Sequence, residues 1–131
     1  IKTLDIQENF RFLGFIPYQH VSALMQVSDA LINPSLFEGW STTVEEARVL
    51  GVPLILSNLT VHREQVGEKA HFFDRWSADS LAETLTRFTP KDCIKRESLK
   101  KDAAADSEIR FSEFAKKFMK VTEACYQEIK A

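Results

Sequence analysis

The chain has 131 residues, of which 44% are hydrophobic and 27% are charged, and its formal net charge is -2. This length suits one domain with a single core, and this residue usage excludes fibrous and intrinsically disordered proteins. The weakly negative charge excludes a broad basic field, so the sequence predicts no nucleic-acid partner.

The first third of the chain predicts a strand, a helix and a second strand. Residues 9–15 (NFRFLGF) are aromatic and end in turn-forming residues, which predicts a strand that enters a loop. Apolar residues three and four apart within 19–29 predict a short amphipathic helix. The run ALINPS (30–35) predicts a strand that stops at Ser35, because a residue before proline avoids helical geometry.

The middle third predicts a helix followed by a buried strand. The segment 42–50 has apolar residues three apart and precedes Gly51, a common helix stop. Thr42 and Glu45 fit the S/T-x-x-E capping box at the start of this helix. The run PLILS (53–57) is continuously apolar, as is typical of buried parallel strands.

The last third predicts one more strand and two more helices. AHFFD (70–74) has the length and apolarity of a strand, and Ser77 can cap a helix over 78–88. A long C-terminal helix is predicted at about 106–130 from an apolar seam with spacings of three and four. The seam, either core or a docking face, consists of Phe111, Phe114, Phe118, Val121, Cys125 and Ile129.

Strands that alternate with helices in this way predict an α/β fold. We expect a Rossmann-like, three-layer α/β/α arrangement with a parallel sheet. In such sheets ligands bind at the carboxyl ends of the strands.

The stretch SLFEGWSTTVEE (35–46) lies where a predicted strand ends and a predicted helix begins. Backbone amides at a helix N-terminus favour an anion such as phosphate. Glu38 and Glu46 can border the same cavity, and carboxylates accept hydrogen bonds from sugar hydroxyls. Helix starts of this kind also occur without any ligand, so the local pattern leaves both interpretations open. The amides predicted to point outward belong to Gly39, Trp40, Ser41 and Thr42.

Two other side chains have competing interpretations. Trp40 can stack on a ligand or pack against neighbouring loops, and the packing role is the more common one. His62 opens the charged segment HRE, which by local pattern is a solvent-facing first turn of a helix.

The segment FEGWSTTVEEARVLGVPLILS resembles the donor-binding signature of retaining glycosyltransferases with the GT-B fold, family 4, also called glycosyl transferase group 1. The E-x7-E motif of that family falls on Glu38 and Glu46. The segments RFLGFIPYQHVSALMQVSDALINPS, HREQ, FFD and RFS are also similar to the family, so the resemblance extends from Asn9 to Gln127. It implies that residues 1–131 form part of the C-terminal, donor-binding domain of a two-domain enzyme.

The resemblance implies a role for each of several residues. Glu38 would lie against the donor sugar as the catalytic residue, and Glu46 would accept hydrogen bonds from the nucleotide ribose. The amides of residues 39–42 would bind the donor diphosphate or sugar, and the loop at Ile16 and Pro17 would contact the base. The implied donor is a nucleotide diphosphate sugar, and neither a cofactor nor a metal is expected.

The chain also departs from the family pattern. Many members have G-F-G-x-P after the first glutamate, whereas this sequence has GWSTT. The paired Arg and Lys that hold the donor phosphates would precede the first motif, and Lys2 lies too close to Asn9 to be that lysine. The N-terminal, acceptor-binding domain is missing as well, and the start at Ile1 suggests a processed or excised piece. We therefore expect the fragment alone to be inactive.

The predicted function is thus sugar transfer in bacterial surface-polysaccharide or lipopolysaccharide synthesis. Two alternatives remain, another GT-B enzyme such as an epimerase or phosphorylase, and a non-catalytic module that binds nucleotide or protein. Two distant cysteines and three scattered histidines give neither a disulfide framework nor metal-ligand spacing. No apolar run approaches the ~18 residues of a membrane span, so a cytoplasmic location is predicted. Peripheral contact with the inner face of the membrane is left open, without support in the sequence.

Overall fold

Three short strands form a parallel sheet in a computed structural model that describes residues 3, 5–90 and 93–130 and, within these, all side chains except those of 93–95. The strands are β1 (Leu31–Asn33), β2 (Leu54–Ser57) and β3 (His71–Phe73). The helices are α1 (Tyr18–Val27), α2 (Thr42–Val49), α3 (Thr60–Val66), α4 (Ala78–Arg87) and α5 (Cys93–Lys130). A 3-10 turn at Gln7–Asn9 precedes them.

The sheet has the order β1-β2-β3, and β2 is its central strand. Leu54 pairs with Leu31 of β1, and Leu56 pairs with Phe72 of β3. Every residue of β2 is buried, because neighbouring elements cover both of its faces and a strand lies along each of its edges. The parallel sheet and its helices confirm the predicted α/β, Rossmann-like class.

The core lies between the sheet and α2. Val44 and Ala47 of α2 have no exposed surface, because their spacing of three turns them to the same side of the helix. Helices α1, α3 and α5 contact α2, while α4 contacts β3. The buried cluster consists of Met25, Val44, Ala47, Val52, Leu54, Leu56 and Val66.

Two of the helix ends test the predicted caps. The Ser77 hydroxyl accepts a hydrogen bond from the Ser80 amide at 3.1 Å, which confirms the predicted cap of α4. The predicted capping box of Thr42 and Glu45 is wrong. Ser41 is the N-cap residue of α2, and its side chain makes no capping hydrogen bond. Glu45 instead accepts hydrogen bonds from side chains on its own helix and on α3, at 2.7 Å from Arg48 and 3.2 Å from Gln65.

The strand predicted at residues 9–15 does not form. Phe10 is extended, with φ -121° and ψ 134°, but in the described part of the chain β1 pairs only with β2. Phe12 and Phe15 therefore lie exposed to solvent. An extended segment becomes a strand only when a neighbour satisfies its backbone groups, and none of the described strands does so here.

Helix α5 includes the predicted C-terminal helix and begins at Cys93 instead of near residue 106. Its first half is held by ion pairs from Asp106, at 2.8 Å to Arg48 on α2 and at 2.6 Å to Lys69. Hydrogen bonding from Lys69 and the surrounding cationic charges lower the pKa of Asp106, so the carboxylate stays ionised. These contacts fix α5 against α2 and the loop before β3.

The second half of α5 has a different environment. Residues 111–130 are all exposed, including the whole apolar seam. Within the described part of the chain, no helix is long and apolar enough to cross a membrane.

Candidate functional site

Polar side chains meet where β1 and β2 end, at the carboxyl edge of the sheet. Asn33, the last residue of β1, donates its side-chain amide to Glu38 at 3.3 Å and to the Ser41 hydroxyl at 3.1 Å. Its side-chain oxygen accepts the Ser35 amide at 3.1 Å. One asparagine therefore ties together the loop that contains Glu38 and the start of α2.

Glu38 is held in place by its own loop. Its Oε1 accepts a hydrogen bond from the Ser35 hydroxyl at 2.8 Å, in addition to the bond from Asn33. These two bonds, with the Ser35 bond the larger cause, lower the pKa of Glu38 below its ordinary value of 4.5. The side chain is consequently a carboxylate at neutral pH. Glu38 is half-buried in the loop between β1 and α2.

A buried histidine lies behind this loop. The Ser57 hydroxyl at the end of β2 donates to the Ser35 carbonyl at 2.6 Å, which links the ends of two adjacent strands. His62 on α3 is completely buried, and its Nδ1 lies 2.9 Å from the Ser57 carbonyl. A carbonyl accepts only, so Nδ1 carries the proton, while Nε2 has no protein partner. The interpretation of His62 as a solvent-facing residue is wrong, because the first turn of α3 packs inward at this position.

The backbone around the start of α2 is partly exposed to solvent and partly buried. The Ser41 amide donates to Gln65 Oε1 at 3.4 Å, and Gln65 returns a bond to the Ser41 carbonyl at 2.9 Å. Ser41 is buried and turns its amide inward, which differs from the predicted outward direction. Gly39, Trp40 and Thr42 are exposed, and nothing lies within 4 Å of the point where a Gly39 Cβ would be.

Trp40 has 48% of its surface exposed, so its side chain is partly covered and partly open to a ligand. Two other exposed aromatic side chains, Phe37 and Trp76, lie in loops after β1 and β3. Arg75 links these loops by donating to the Leu36 carbonyl at 3.4 Å. The carboxyl edge of the sheet is thus lined by aromatic as well as polar groups.

Glu46 is separate from this network. It lines a hollow of about 270 Å³ between α1 and α2, whose other lining residues are Tyr18, Ser22, Glu45, Val49 and Leu50. Glu38 is not among the residues that line this hollow. The negative charge of Glu46 is the largest cause that raises the pKa of Tyr18 above its ordinary 10.0.

The predicted base-binding loop lies at the start of α1. Pro17 is the N-cap residue of α1, directly before Tyr18, and its carbonyl accepts the His20 amide at 2.9 Å. Ile16 is half-buried and lines a different, apolar hollow with Leu13 and His20. Pro17 thus directly precedes Tyr18, which lines the hollow with Glu46, while Ile16 lines a different hollow.

The sequence analysis did not predict several side chains that shape the site. Three of them are polar residues at strand ends, and this position could have indicated them, since ligand sites of parallel sheets lie there. Buried Gln65 and His62 gave no such signal, because a polar residue on a short helix is normally exposed. The missed strand-end residues are Asn33, Ser35 and Ser57.

Within the described residues, no group of three or more His, Cys, Asp and Glu side chains is arranged to hold a metal ion. The side chains at the carboxyl edge of the sheet supply carboxylate, hydroxyl, amide and aromatic groups.

Comparisons with known proteins identify relatives of this chain. The family model described as "Glycosyl transferases group 1" matches residues 1–106. O-antigen chain mannosyltransferase B from Escherichia coli is 31% identical over 72 residues, which cover 55% of this chain and 19% of that protein. O-antigen biosynthesis glycosyltransferase WclY, also from Escherichia coli, is 28% identical over 86 residues, covering 66% of this chain and 24% of that protein.

A third relative comes from a different organism. The 2-deoxystreptamine N-acetyl-D-glucosaminyltransferase of Niallia circulans is 34% identical over 58 residues, covering 44% of this chain and 15% of that protein. The matched part of this chain thus spans between 15% and 24% of the length of these three relatives.

Proposed function

The chain belongs to the glycosyl transferase group 1 family, and from this premise we propose that it forms part of the donor site of a retaining glycosyltransferase. The donor is a nucleotide diphosphate sugar, and the region described here is part of the C-terminal domain of a GT-B enzyme. An N-terminal domain of the same protein supplies the acceptor site. Following the family resemblance, the reaction uses neither a cofactor nor a metal ion.

The observation that carries the proposal is the ionised Glu38 at the carboxyl end of β1. Hydrogen bonds from Ser35 and Asn33 hold this carboxylate in an open loop and keep its pKa low. When the bond between the anomeric carbon and the phosphate oxygen breaks, positive charge develops on the sugar. A fixed carboxylate beside the sugar stabilises that charge and also accepts hydrogen bonds from sugar hydroxyls.

The leaving nucleoside diphosphate gains negative charge in the same step. Backbone amides at the N-terminus of α2 are suited to stabilise this charge, because the helix dipole favours an anion there. Gly39 supports this role, since the space where a Cβ would lie on its backbone is open. The acceptor oxygen forms the new bond to the anomeric carbon, and the acceptor proton leaves with the diphosphate.

Glu46 is proposed to accept hydrogen bonds from the ribose. It lines the hollow between α1 and α2, next to the Pro17 turn that is proposed to meet the base. Placing ribose and sugar at different carboxylates is consistent with a donor that extends across the N-terminus of α2.

The names of the relatives support a role in surface-polysaccharide synthesis. Two of the three are O-antigen enzymes of Escherichia coli, and the third is a 2-deoxystreptamine N-acetyl-D-glucosaminyltransferase. We propose that the protein extends an O-antigen-like or related polysaccharide in the cytoplasm, where nucleotide sugars are the donors.

The test is an assay of the full-length protein with a panel of nucleotide diphosphate sugars and lipid-linked saccharide acceptors. Glu38→Gln should lower turnover by ~100-fold or more with a small change in donor affinity, because the charge matters most in the transition state. Glu46→Ala should weaken donor binding ~10-fold, as expected for lost hydrogen bonds to hydroxyls.

Glu113→Gln is the matched control, because Glu113 lies exposed on α5 away from the site. Kinetics equal to the parent for both site variants would contradict the assignment. Donor binding without turnover would instead indicate a non-catalytic module, and release of an epimerised sugar would indicate another GT-B enzyme.

A further inference from the structure

The two glutamates of the site are held in different ways. Glu38 has two hydrogen-bond donors within its own loop, Ser35 and Asn33. Glu46 receives no such support from its own helix, and its neighbour across the hollow is Tyr18 at the start of α1. We propose that Tyr18 is a positioning residue for Glu46, whose hydroxyl orients the carboxylate that binds the nucleotide ribose. This inference rests on the proposed function.

The positions of the two helices bring the residues together. Pro17 has φ -57° and immediately precedes α1, so Tyr18 is the first helical residue and lies at the end of α1 that borders the hollow. Helices α1 and α2 contact each other, and Tyr18 and Glu46 line the same hollow of about 270 Å³. Tyr18 has 65% of its surface exposed, so its place is at the rim, where a ligand would enter.

The electrostatics agree with a phenol that donates to a carboxylate. The negative charge of Glu46, on the far side of the same hollow, is the largest cause of the raised pKa of Tyr18. The phenol therefore keeps its proton and remains a donor over the whole physiological pH range.

The arrangement leaves room for a ribose. A carboxylate offers two oxygens with about four acceptor positions, so one phenol hydroxyl occupies only a part of its capacity. The remaining positions can accept two ribose hydroxyls. The hollow is smaller than the ~300–1,000 Å³ of sites that enclose a whole ligand, so it suits one sugar ring of the nucleotide.

Without the Tyr18 hydroxyl, Glu46 would have to be ordered by the ligand itself. Immobilising one flexible side chain on binding weakens affinity by about three- to tenfold. The same substitution should not affect folding, because the Tyr18 ring is exposed and Phe keeps its size.

The experiment measures binding of nucleoside diphosphates (UDP, GDP, ADP, CDP and dTDP) to the full-length protein by calorimetry. Tyr18→Phe should raise the dissociation constant three- to tenfold for the diphosphate that binds best. Tyr126→Phe on α5 is the matched control, since it removes the same hydroxyl from an exposed ring away from the site. Its dissociation constant should equal that of the parent.

A double-mutant cycle separates positioning from direct contact. If Tyr18 acts through Glu46, Tyr18→Phe has no further effect in a Glu46→Ala background. An effect that persists in that background would show direct ligand contact and overturn the inference. Binding by Tyr18→Phe equal to the parent would overturn it while leaving the proposed function intact. A parent protein that binds none of the diphosphates would overturn the proposed function, and the inference with it.

Discussion

Asn33 orients three groups with one short side chain. Its amide nitrogen donates to Glu38 and to Ser41, and its oxygen accepts the Ser35 amide. Asn33 itself carries no charge, so its hydrogen bond stabilises the ionised form of Glu38 without neutralising it. Replacing the amide by a carboxylate would reverse the effect at nearly constant volume.

The substitution Asn33→Asp tests whether Asn33 stabilises the ionised form of Glu38, and the pH–rate profile is the readout. A like charge about 3.3 Å from Glu38, together with the lost donor, should raise the pKa of Glu38. Activity that needs the ionised form would then be lost at a higher pH, so the acid limb of the pH–rate profile should move up by roughly one unit. The measurement is kcat/KM of the full-length enzyme between pH 4 and 8. Asn9→Asp, in the exposed turn before α1, should leave the limb in place, and coincident limbs for Asn33→Asp and the parent would contradict the role of Asn33.

At the scale of single residues, the sequence assigned Glu38 and Glu46 to one site from their positions near a predicted helix start and from the resemblance to the family motif. The structure places Glu38 in the network of Asn33 and Ser35, and Glu46 in a separate hollow. The inward amide of Ser41 was not found, because it depends on Gln65, which is 24 residues away in the chain. Such contacts are set by how α3 packs on α2, and no local pattern encodes them.

At the scale of elements, one close approach fixes where α5 lies. Gly51 follows α2 with φ +69°, a left-handed conformation that glycine adopts without strain. A Cβ at this position would lie 2.8 Å from the Leu99 carbonyl oxygen, which is backbone of α5. The end of α2 and the first half of α5 therefore approach each other at a distance that only glycine permits.

Gly51→Ala should destabilise the chain by about 2–4 kcal/mol, from the left-handed backbone and from the displaced α5 together. Gly14→Ala is the control, because Gly14 also has positive φ, +62°, but has nothing within 4 Å of its added Cβ. Gly14→Ala should lower the free energy of unfolding only through the left-handed backbone conformation, by about 1 kcal/mol. Urea denaturation of the two variants gives the comparison, and equal losses would contradict the close approach to α5.

Prediction of the elements succeeded where local physics decides. The strands at PLILS and AHFFD and the helix capped by Ser77 formed because apolarity, length and a local cap were sufficient. The strand at residues 9–15 did not form, because pairing requires a neighbour and composition does not supply one. The early start of α5 was missed because its first turns are charged, and because the ion pairs of Asp106 that fix its first half are tertiary contacts.

At the scale of the whole molecule, the two halves of α5 have different surroundings. The half that contains Asp106 is fixed to α2, while residues 111–130 expose the apolar seam. Phe114 and Phe118 stack on each other with centroids 6.1 Å apart, and have 65% and 57% of their surfaces exposed. Contiguous exposed apolar surface of this kind promotes association.

Replacing Phe114 and Phe118 by Lys should therefore reduce light scattering of the 131-residue chain in solution. The free energy of unfolding should change by less than ~0.5 kcal/mol, since these rings bury little surface in the chain. Phe73→Ala is the contrasting variant, because Phe73 is only 5% exposed, and its loss should cost about 3–5 kcal/mol. Unchanged scattering after the Lys substitutions would argue against the seam as the cause of association.

Hydrogen bonds of Asn33, Ser35 and Ser57 hold the Glu38 loop at the end of the sheet. The apolar side chains of this loop, Leu36 and Phe37, are exposed. The residues that anchor this loop are therefore different from the residues at which substitutions should be tolerated. For the proposed donor site, a library that seeks altered sugar preference should randomise positions 36 and 37 and keep Asn33, Ser35 and Ser57. Changes at 36 and 37 leave the hydrogen bonds of these three residues intact.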